Sequence, residues 1–483
     1  YTTRTSRYRK DLFVAKALRV FDPEKYEQYR GYTKLPAKTR EIEETFHKVL
    51  IPDTTSQPLK LTEKAWDALG FAYQYVKKEF TTEKKYEPMS FRQVVPHLNQ
   101  STSAGFSFPG KKKGQVIEEA IKKAEDLAVQ VRSGQPIVMP PCKLASRGKL
   151  RRLDDPKAPR LIYNYPVEQL ILEASYAIPL IEFMRDKKDS IMLFGSNIIP
   201  RIYDTISKRY PRSYWTLRTD ISKFDTSVHA FMIKIAFQII EANIDFDHWD
   251  GVPLTQAQKK RWGRVWDYVK YYFTYTPIMS PSGIIKQKKG KIPSGGEFTQ
   301  IVGSIVNALY IVMVAHYHDH TIKELRVLGD DGFPTVFQKP NVDSWAACLL
   351  QWFNVKMSVE KTMLYRGDDP NKTFLGYYFK GGFLYRHTDE LFMSALYPER
   401  EVDTLEKSFS RLIAYMYLGG VNDIEFTKFF IRYQTGYPID YEQQMELDYP
   451  LQVKVGILGF PIPIKKFKQY TMSEFLHRLT NPT

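Results

Sequence analysis

The sequence predicts an α+β protein in which antiparallel strands joined by tight turns accompany longer helices. Two short β-prone runs flank residues 329–332, Gly-Asp-Asp-Gly, and another strand-like run covers residues 373–379. Asp-Gly between apolar runs favours a tight turn, because glycine accepts a positive φ. Apolar residues at helical spacing recur in residues 115–132 and after Asp225. Hairpins and amphipathic helices in one chain indicate the mixed class.

Composition limits the size of the molecule and its partners. The chain has 483 residues, a net charge of +16 and 14% aromatic residues. This length allows two or three domains, or one large enzyme with lobes around a cleft. A basic and aromatic chain suits a polyanion whose bases can stack, which indicates nucleic acid. A membrane-surface protein would share the charge.

Cysteine use and hydropathy indicate a soluble protein of a reducing compartment. The two cysteines, Cys142 and Cys348, are too few for a zinc ribbon or a disulfide scaffold. Residues 1–10 have no apolar signal-peptide core. The most apolar segment, residues 301–315, is interrupted by polar residues and is too short for a membrane span.

The tip of the first hairpin is the main candidate site. A turn would hold Asp330 and Asp331 at one sheet edge, where adjacent carboxylates repel each other unless a cation lies between them. An ordinary solvated turn is the alternative. Gly-Asp-Asp occurs again at residues 367–369, where no apolar strand flanks it and Pro370 follows. We therefore interpret the second copy as a surface loop.

A further acidic position ends the strand-like segment at residues 214–220. Asp220 closes this segment, and apolar residues after it, from Val228 to Ile239, are spaced as the buried stripe of a helix. Asp225 therefore falls in the strand-to-helix turn. A helix N-cap is the structural alternative for Asp225.

Three other segments have side chains suited to a nucleotide or its polymer. Residues 100–114 join small residues and hydroxyls to three lysines, which suits phosphate contacts or a flexible surface loop. Residues 143–160 are rich in Arg and Lys and lead into a strand, a pattern that suits a triphosphate cradle. A helix from about Thr299 would align Thr299, Gly303 and Asn307, whose polar groups need a partner.

In chain order, these motifs resemble those of viral RNA-dependent RNA polymerases across residues 101–379. Within that superfamily, Asp-Ile-Ser-Lys-Phe-Asp at 220–225 and the segment 155–166 most resemble polymerases of partitiviruses, which are small double-stranded RNA viruses. Picobirnaviruses are the near alternative, and residues 102–108 also resemble picornavirus-like enzymes. The resemblance implies a closed right hand of fingers, palm and thumb, with an antiparallel palm sheet.

The resemblance also implies a division of the chain. Residues 1–82 would be an N-terminal extension with a fingertip bridge to the thumb. The remaining expected parts are fingers at 83–208 and 245–290, palm at 209–244 and 291–400, and thumb with a C-terminal segment at 401–483.

Site roles follow from the same resemblance. Asp220, Asp330 and Asp331 would hold two Mg²⁺ ions, for which Mn²⁺ can substitute, and Lys361 would protonate pyrophosphate. Residues expected to bind the nucleotide or its ribose are Asp225, Ser294, Thr299, Asn307, Lys157, Arg160, Arg151 and Arg152. Residues expected to contact template or primer are Ser103, Ala104, Gly105, Phe374, Leu375, Gly376 and Tyr377.

The implied activity is RNA-templated RNA synthesis, which would replicate and transcribe a double-stranded RNA genome. Expected partners are template and product RNA, ribonucleoside triphosphates and a viral capsid protein, without a membrane, inside a viral particle in the host cytoplasm. Rivals are a reverse transcriptase, which usually guards the sugar with a bulky aromatic, and a metal nuclease, which lacks a ribose-sensing pair. A non-catalytic RNA-binding structural protein would not need the matched carboxylates.

Overall fold

The computed structural model describes residues 10–148, 150–153, 160–187, 189–193 and 198–437. These ranges contain both helices and small sheets, which confirms the predicted α+β class. The α-helices are Leu12–Phe21, Pro23–Tyr29, Thr39–Thr45, Glu63–Phe80, Phe91–Val94, Ile117–Ser133, Val167–Asp186, Ile198–Ser207, Phe224–Ser227, Ala230–Glu241, Gln256–Thr274, Thr299–Tyr317, Val342–Phe353, Thr388–Leu396, Leu405–Tyr417 and Ile424–Gly436. The strands are Tyr32–Thr33, Cys142–Arg147, Arg151–Arg152, Arg160–Asn164, Tyr214–Arg218, His248–Trp249, Val252–Pro253, Pro277–Met279, Ile285–Gln287, Ile322–Leu328, Asp331–Phe337, Met363–Arg366, Thr373–Phe374, Tyr377–Lys380 and Phe383–Arg386.

One antiparallel sheet carries the acidic hairpin. Its strands lie in the order Ile322–Leu328, Asp331–Phe337, Tyr214–Arg218 and Met363–Arg366. The strand that precedes Asp220 is therefore central and pairs with the outgoing strand of the hairpin. This arrangement follows from the β-prone, alternating sequence of each strand and the glycines at the turn.

A buried helix supports this sheet. Thr299–Tyr317 packs against Glu63–Phe80 and contacts both hairpin strands. It is long and apolar enough to cross a membrane, but 83% of its apolar window is buried inside the protein. An apolar helix of this kind forms the core because it can bury residues on every face.

A second sheet joins the basic run to a later part of the chain. Its strands lie in the order Arg160–Asn164, Cys142–Arg147, Pro277–Met279 and Ile285–Gln287. The strand Arg160–Asn164 is therefore an edge strand of this sheet, and helix Val167–Asp186 begins shortly after it. This pairing fixes the basic run relative to the core.

The N-terminal segment contacts two separate regions. Helices Leu12–Phe21 and Pro23–Tyr29 share a core with Leu405–Tyr417 and Ile424–Gly436. Buried Asp11 accepts hydrogen bonds from the Arg411 guanidinium at 2.7 Å and the Ser408 hydroxyl at 2.7 Å. The strand Tyr32–Thr33 then pairs with Arg151–Arg152. The division into fingers, palm and thumb stays a prediction, and residues 438–483 of the expected thumb lie outside the described residues.

Two local predictions differ from the structure. The strand expected at 373–379 is broken, because Thr373–Phe374 and Tyr377–Lys380 pair with each other across Leu375 and Gly376. Both turn residues have positive φ, +50° and +78°, which makes the short Leu-Gly pair a hairpin turn. The next hairpin, with Phe383–Arg386, forms as expected.

Asp225 is not a helix N-cap. It lies inside the short helix Phe224–Ser227, and the longer helix Ala230–Glu241 is capped by His229, whose ring nitrogen accepts the Phe231 N–H. The carboxylate of Asp225 is therefore free of that structural task.

Candidate active site

The register of the central sheet brings Asp220 to the acidic hairpin. Thr216 lies opposite Thr335, and the same register continues to a bridge between Thr219 and Gly332. The Thr219 N–H donates to the Gly332 carbonyl at 2.9 Å. One residue further along this antiparallel register, Asp220 lies opposite Asp331. The two acidic positions predicted from separate parts of the sequence therefore meet at one sheet edge.

The carboxylates at this edge repel one another. Burial, followed by the charges of Asp330 and Asp220, raises the pKa of Asp331 to about 7, against the opposing effect of Arg218. Asp330 itself is exposed. Within the part of the chain that the structure describes, none of the three aspartates forms an ion pair. Crowded, unpaired carboxylate oxygens are the ligands that Mg²⁺ prefers, so these residues fit a divalent ion.

The three aspartates are less tightly grouped than a second acidic cluster. Among the described residues, Glu87, Asp245 and His248 have ligand atoms within 4.8 Å of one another. Those atoms already make local bonds, since Asp245 contacts the His248 ring at 2.9 Å and Glu87 accepts the Gly251 N–H at 2.9 Å. We therefore assign this second cluster to loop structure.

The tip of the hairpin is held by the buried helix behind it. The Gly329 N–H donates to the Ser304 hydroxyl at 2.8 Å, and the Asn307 amide donates to the Gly329 carbonyl at 3.0 Å. Asn307 is 0% exposed, and its Oδ1 has no partner among the described residues. Ser304 was not among the predicted site residues. Its position three residues before Asn307 on an apolar helix was the signal that could have identified it.

Asp225 lies within electrostatic reach of both the hairpin and the basic run. Burial and, to a smaller extent, the Asp330 charge raise the pKa of Asp225 to about 6, against the opposing charge of Arg160. The backbone carbonyl of Asp225 accepts the Ile292 N–H at 2.7 Å. Ile292 directly precedes residues 293–299, which we call the Ser294 segment. Asp330 and Arg160 therefore both lie close enough to Asp225 for their charges to act on its carboxylate.

The Ser294 segment is fastened to the basic strand. The Tyr163 N–H donates to the Ser294 carbonyl at 2.8 Å, and a Cβ on Gly295 would lie 2.2 Å from the Tyr163 carbonyl oxygen. The Thr299 hydroxyl donates to the Pro293 carbonyl at 2.7 Å. Glycine is needed at position 295 because the two backbones approach too closely for a side chain.

The small-residue loop is fastened to the same strand one residue further on. The Ser103 hydroxyl accepts the Asn164 amide at 2.9 Å, and the buried Ala104 carbonyl accepts the Val167 N–H at 3.1 Å. Gly105 has a φ of +85°, and a Cβ there would lie 2.2 Å from the Tyr165 carbonyl oxygen. The loop, the basic strand and the Ser294 segment therefore form one connected unit.

Two acids outside the predicted site residues, the buried Glu173 and the half-buried Glu297, support this unit. Glu173 accepts the Glu297 N–H at 3.0 Å, and burial raises the pKa of Glu173 to about 8. Burial also raises the pKa of Glu297 to about 7, against the opposing charge of Lys113. A glutamate within the apolar run of helix Val167–Asp186 was the available signal.

Lys361 lies in a loop fastened to the backbone of Asp220. The Ser358 N–H donates to the Asp220 carbonyl at 2.8 Å, and the Asp220 N–H donates to the Thr362 hydroxyl at 3.3 Å. Lys361 itself is exposed, directly before Thr362. The loop is therefore at the candidate site, while proton transfer by Lys361 stays a prediction.

The remaining predicted residues are placed less directly. Arg151 and Arg152 form the short strand that pairs with Tyr32–Thr33, and Lys157 lies outside the described residues. Phe374 is fully buried, and its ring centroid lies 4.7 Å from the ring centroid of Phe333. The Tyr377 hydroxyl donates to the Leu418 carbonyl at 3.1 Å. The turn at Leu375 and Gly376 thus joins the central sheet to the helices that follow, and its contact with primer stays a prediction.

Solved structures share this architecture. An RNA-dependent RNA polymerase of a human picobirnavirus matches with a TM-score of 0.59 and 17% identity, over 88% of this chain and 82% of that chain. An insertion-loop deletion mutant of the human picobirnavirus enzyme matches with a TM-score of 0.56 and 16% identity, over 88% of this chain and 86% of that chain. These likenesses confirm the expected right-hand polymerase fold.

Sequence comparisons identify the family. The RNA-directed RNA polymerase of Cryptosporidium parvum virus 1 (strain KSU-1) is 29% identical over 244 residues, which are 49% of this chain and 43% of that protein. The chain thus covers less than half of this curated relative. The family model described as "Viral RNA-dependent RNA polymerase" matches residues 3–433. This match confirms the expected resemblance to viral RNA-dependent RNA polymerases. The chain belongs to the viral RNA-dependent RNA polymerase family.

Proposed function

We propose that this protein synthesises RNA on an RNA template, by nucleotidyl transfer from ribonucleoside triphosphates, to replicate and transcribe a viral double-stranded RNA genome. The observation that carries the proposal is the strand register that brings Asp220 opposite Asp331 at the hairpin tip. Family membership supports the same activity. Enzymes of this family generally use divalent metal ions.

The three aspartates are the residues we assign to metal binding. Asp220, Asp330 and Asp331 together would hold two Mg²⁺ ions, or Mn²⁺ in their place. When bound, such a pair of ions polarises the attacking and leaving oxygens of an in-line phosphoryl displacement. The raised pKa of Asp331 is caused first by burial and then by the charges of Asp330 and Asp220, and that mutual repulsion among the carboxylates supports this assignment because bound cations would neutralise it.

Basic residues near Asp225 and the acidic hairpin would orient the triphosphate. Arg160 is the best supported, because its charge acts on Asp225 beside the hairpin. An arginine fork matches phosphate oxygens in geometry and charge. Lys157, Arg151 and Arg152 belong to the same proposal through family resemblance. Lys361 would act after transfer, as a proton donor to pyrophosphate.

Sugar selection would depend on the carboxylate of Asp225 and the Ser294 segment. Asp225 is partly exposed, so its carboxylate can accept a hydrogen bond from a ribose 2′ hydroxyl. Thr299 supports that segment through its bond to Pro293. Asn307 is buried and bonds to the hairpin, so any effect it has on sugar choice would be transmitted through neighbouring residues.

Template and primer would lie on either side of the metal-binding aspartates. We assign the template entry to Ser103, Ala104 and Gly105, which are fastened to the basic strand. The primer strand would contact the hairpin of Phe374, Leu375, Gly376 and Tyr377. A capsid protein as partner, the absence of a membrane, and a location in a viral particle in the host cytoplasm are proposals that rest on the resemblance alone.

A polymerisation assay tests the activity. Purified protein with Mg²⁺, a single-stranded RNA template and labelled ribonucleotides should yield template-length complementary RNA, with little product from deoxyribonucleotides. Parallel reactions with and without primer would define initiation. Efficient DNA synthesis would favour a reverse transcriptase, template degradation would favour a nuclease, and RNA binding without synthesis would favour a structural protein.

A further inference from the structure

The turn that carries Asp330 and Asp331 lies directly on one face of helix Thr299–Tyr317. Gly303 has no side chain on this face, and a Cβ there would lie 3.6 Å from the Gly329 Cα. Gln300 is also on this face, with its amide nitrogen 2.9 Å from the position of a Cβ on Gly329. The helix and the turn are therefore in contact without an intervening layer of side chains.

Both backbone groups of Gly329 are bonded to side chains of that helix. Ser304 accepts its N–H at 2.8 Å and Asn307 donates to its carbonyl at 3.0 Å. Ser304 and Asn307 are both 0% exposed. Gly329 has a φ of +59°, a left-handed conformation that glycine adopts without strain, so the side-chain bonds from the helix select this geometry among those open to glycine.

The same helix also limits the far side of the turn. A Cβ on Gly332 would lie 2.5 Å from the Ile311 side chain and 3.4 Å from the Asn307 amide nitrogen. Asn307 therefore lies between the two glycines that bracket Asp330 and Asp331. The position of both carboxylates depends on this helix.

We propose that Ser304 and Asn307 are positioning residues that set the geometry of the metal-binding carboxylates by fixing Gly329. This inference rests on the proposed function and adds residues that do not touch the metal. Asn307 acts on the hairpin through its amide nitrogen. The Ser304 hydroxyl oxygen accepts the Gly329 N–H, and the same hydroxyl donates its proton to the Gln300 carbonyl at 2.8 Å.

The test compares Ser304→Ala with a matched serine. Ser175→Ala is the control, because Ser175 is equally buried in a helix and donates to the carbonyl four residues back, Ile171, at 3.1 Å. Both changes remove that bond, but only Ser304→Ala deprives Gly329 of its acceptor. Mn²⁺ binding is measured by electron paramagnetic resonance without nucleotide or RNA, beside the Mg²⁺ dependence of synthesis and the KM for nucleotide.

Ser304→Ala should weaken Mn²⁺ binding about tenfold, the size of effect seen when groups that orient metal ligands are removed. The Mg²⁺ requirement should rise in parallel, with a smaller change in the KM for nucleotide. Ser304→Thr, which keeps the acceptor, should restore binding, and Ser304→Cys, a weaker acceptor of similar size, should fall between. Ser175→Ala should bind Mn²⁺ as the native protein does.

Unchanged Mn²⁺ binding in folded Ser304→Ala or Ser304→Cys would overturn the proposal, as would equal weakening by Ser175→Ala. These results are distinct from failure of the proposed function, which would appear as absent RNA synthesis and absent Mn²⁺ binding in the native protein. Circular dichroism identifies a variant that does not fold, and the Cys and Thr variants then decide the outcome.

Discussion

The chain contains Gly-Asp-Asp twice, and the two copies have opposite electrostatic surroundings. In the first, burial and neighbouring carboxylates raise the pKa of Asp331 to about 7. In the second, hydrogen bonds from Arg366 and Arg212 lower the pKa of Asp368 to about 2. The tripeptide therefore does not determine the chemistry. The elements packed around it decide whether its charge is left for a ligand or is neutralised within the protein.

The backbone contacts of the two copies differ in the same way. Gly329 is bonded to helix side chains behind the sheet. Gly367 is bonded to the start of the central strand and to the residues before it: its N–H donates to the Tyr214 carbonyl, and its carbonyl accepts the Tyr210 N–H. The Lys372 ammonium also donates to the Gly367 carbonyl. The second copy directly follows strand Met363–Arg366, so the expectation that no strand flanks it was wrong, while the first copy presents its carboxylates at a sheet edge.

The largest expected difference between the copies is in catalysis. Asp330→Asn should lower RNA synthesis by about a thousandfold or more, because a metal ligand contributes several kcal/mol to the transition state. RNA binding should persist, since the basic segments are unchanged and the loss of one carboxylate makes the net charge more positive by one. Asp368→Asn is the matched control and should leave synthesis near the native rate. Primer-extension rates with a filter-binding assay would measure both, and equal losses would contradict the assignment.

A smaller difference is expected at the glycines. Gly329→Ala places a side chain at a φ of +59°, a strain of ~1–2 kcal/mol, beside Gln300. It should reduce synthesis about tenfold and raise the Mg²⁺ requirement. In Gly367→Ala, the Cβ would lie 2.5 Å from the Pro211 carbonyl, which should lower the melting temperature and leave the Mg²⁺ requirement unchanged. Thermal melts and Mg²⁺ titrations of both variants would separate these outcomes; a matching Mg²⁺ shift in Gly367→Ala would remove the distinction.

The smallest expected difference is in the pH dependence of metal-free stability. Asp331 has a pKa of about 7 when folded and an ordinary value of 3.8, so the folded protein keeps a proton that the unfolded chain releases. The Asp331 carboxyl should therefore lower the free energy of unfolding as the pH rises from about 4 to about 7. Asp368 has a lowered pKa, so its stabilising contribution is present above 3.8 and lost as the pH falls towards about 2.

Thermal melts in chelator across this pH range would measure both effects. Asp331→Asn should reduce the loss of stability between about pH 4 and 7, and Asp368→Asn should change the profile only in more acidic solution. An Asp331→Asn profile that parallels the native one would show that this carboxyl titrates normally.

The sequence predicted the parts of the site that depend on local chemistry. Asp220 at a strand end and Asp330 and Asp331 at a glycine turn were identifiable, because alternation and turn residues act within a few positions. The register that brings them together was not, since it depends on pairing between strands more than a hundred residues apart. Ser304 and Glu173 were missed for the same reason: their partners are distant in the chain.

The predicted strand at residues 373–379 shows the limit of pattern reading. Aromatic residues favour a strand there, but Leu375 and Gly376 turn the chain, and the apolar side chains are buried on two different partners. The Phe374 ring packs against Phe333 and the Tyr377 hydroxyl donates to the Leu418 carbonyl, and neither contact can be read from the segment itself.

The ion pair between Asp11 and Arg411 sets a boundary for any shortened form of this polymerase. Removing one member of a buried pair costs ~3–5 kcal/mol, because the other charge is left in the interior. A fragment that starts after Phe21 would also lose helix Leu12–Phe21, which shares a core with helices Leu405–Tyr417 and Ile424–Gly436. The smallest unit able to fold therefore includes a segment nearly four hundred residues away, in sequence, from the helix it completes.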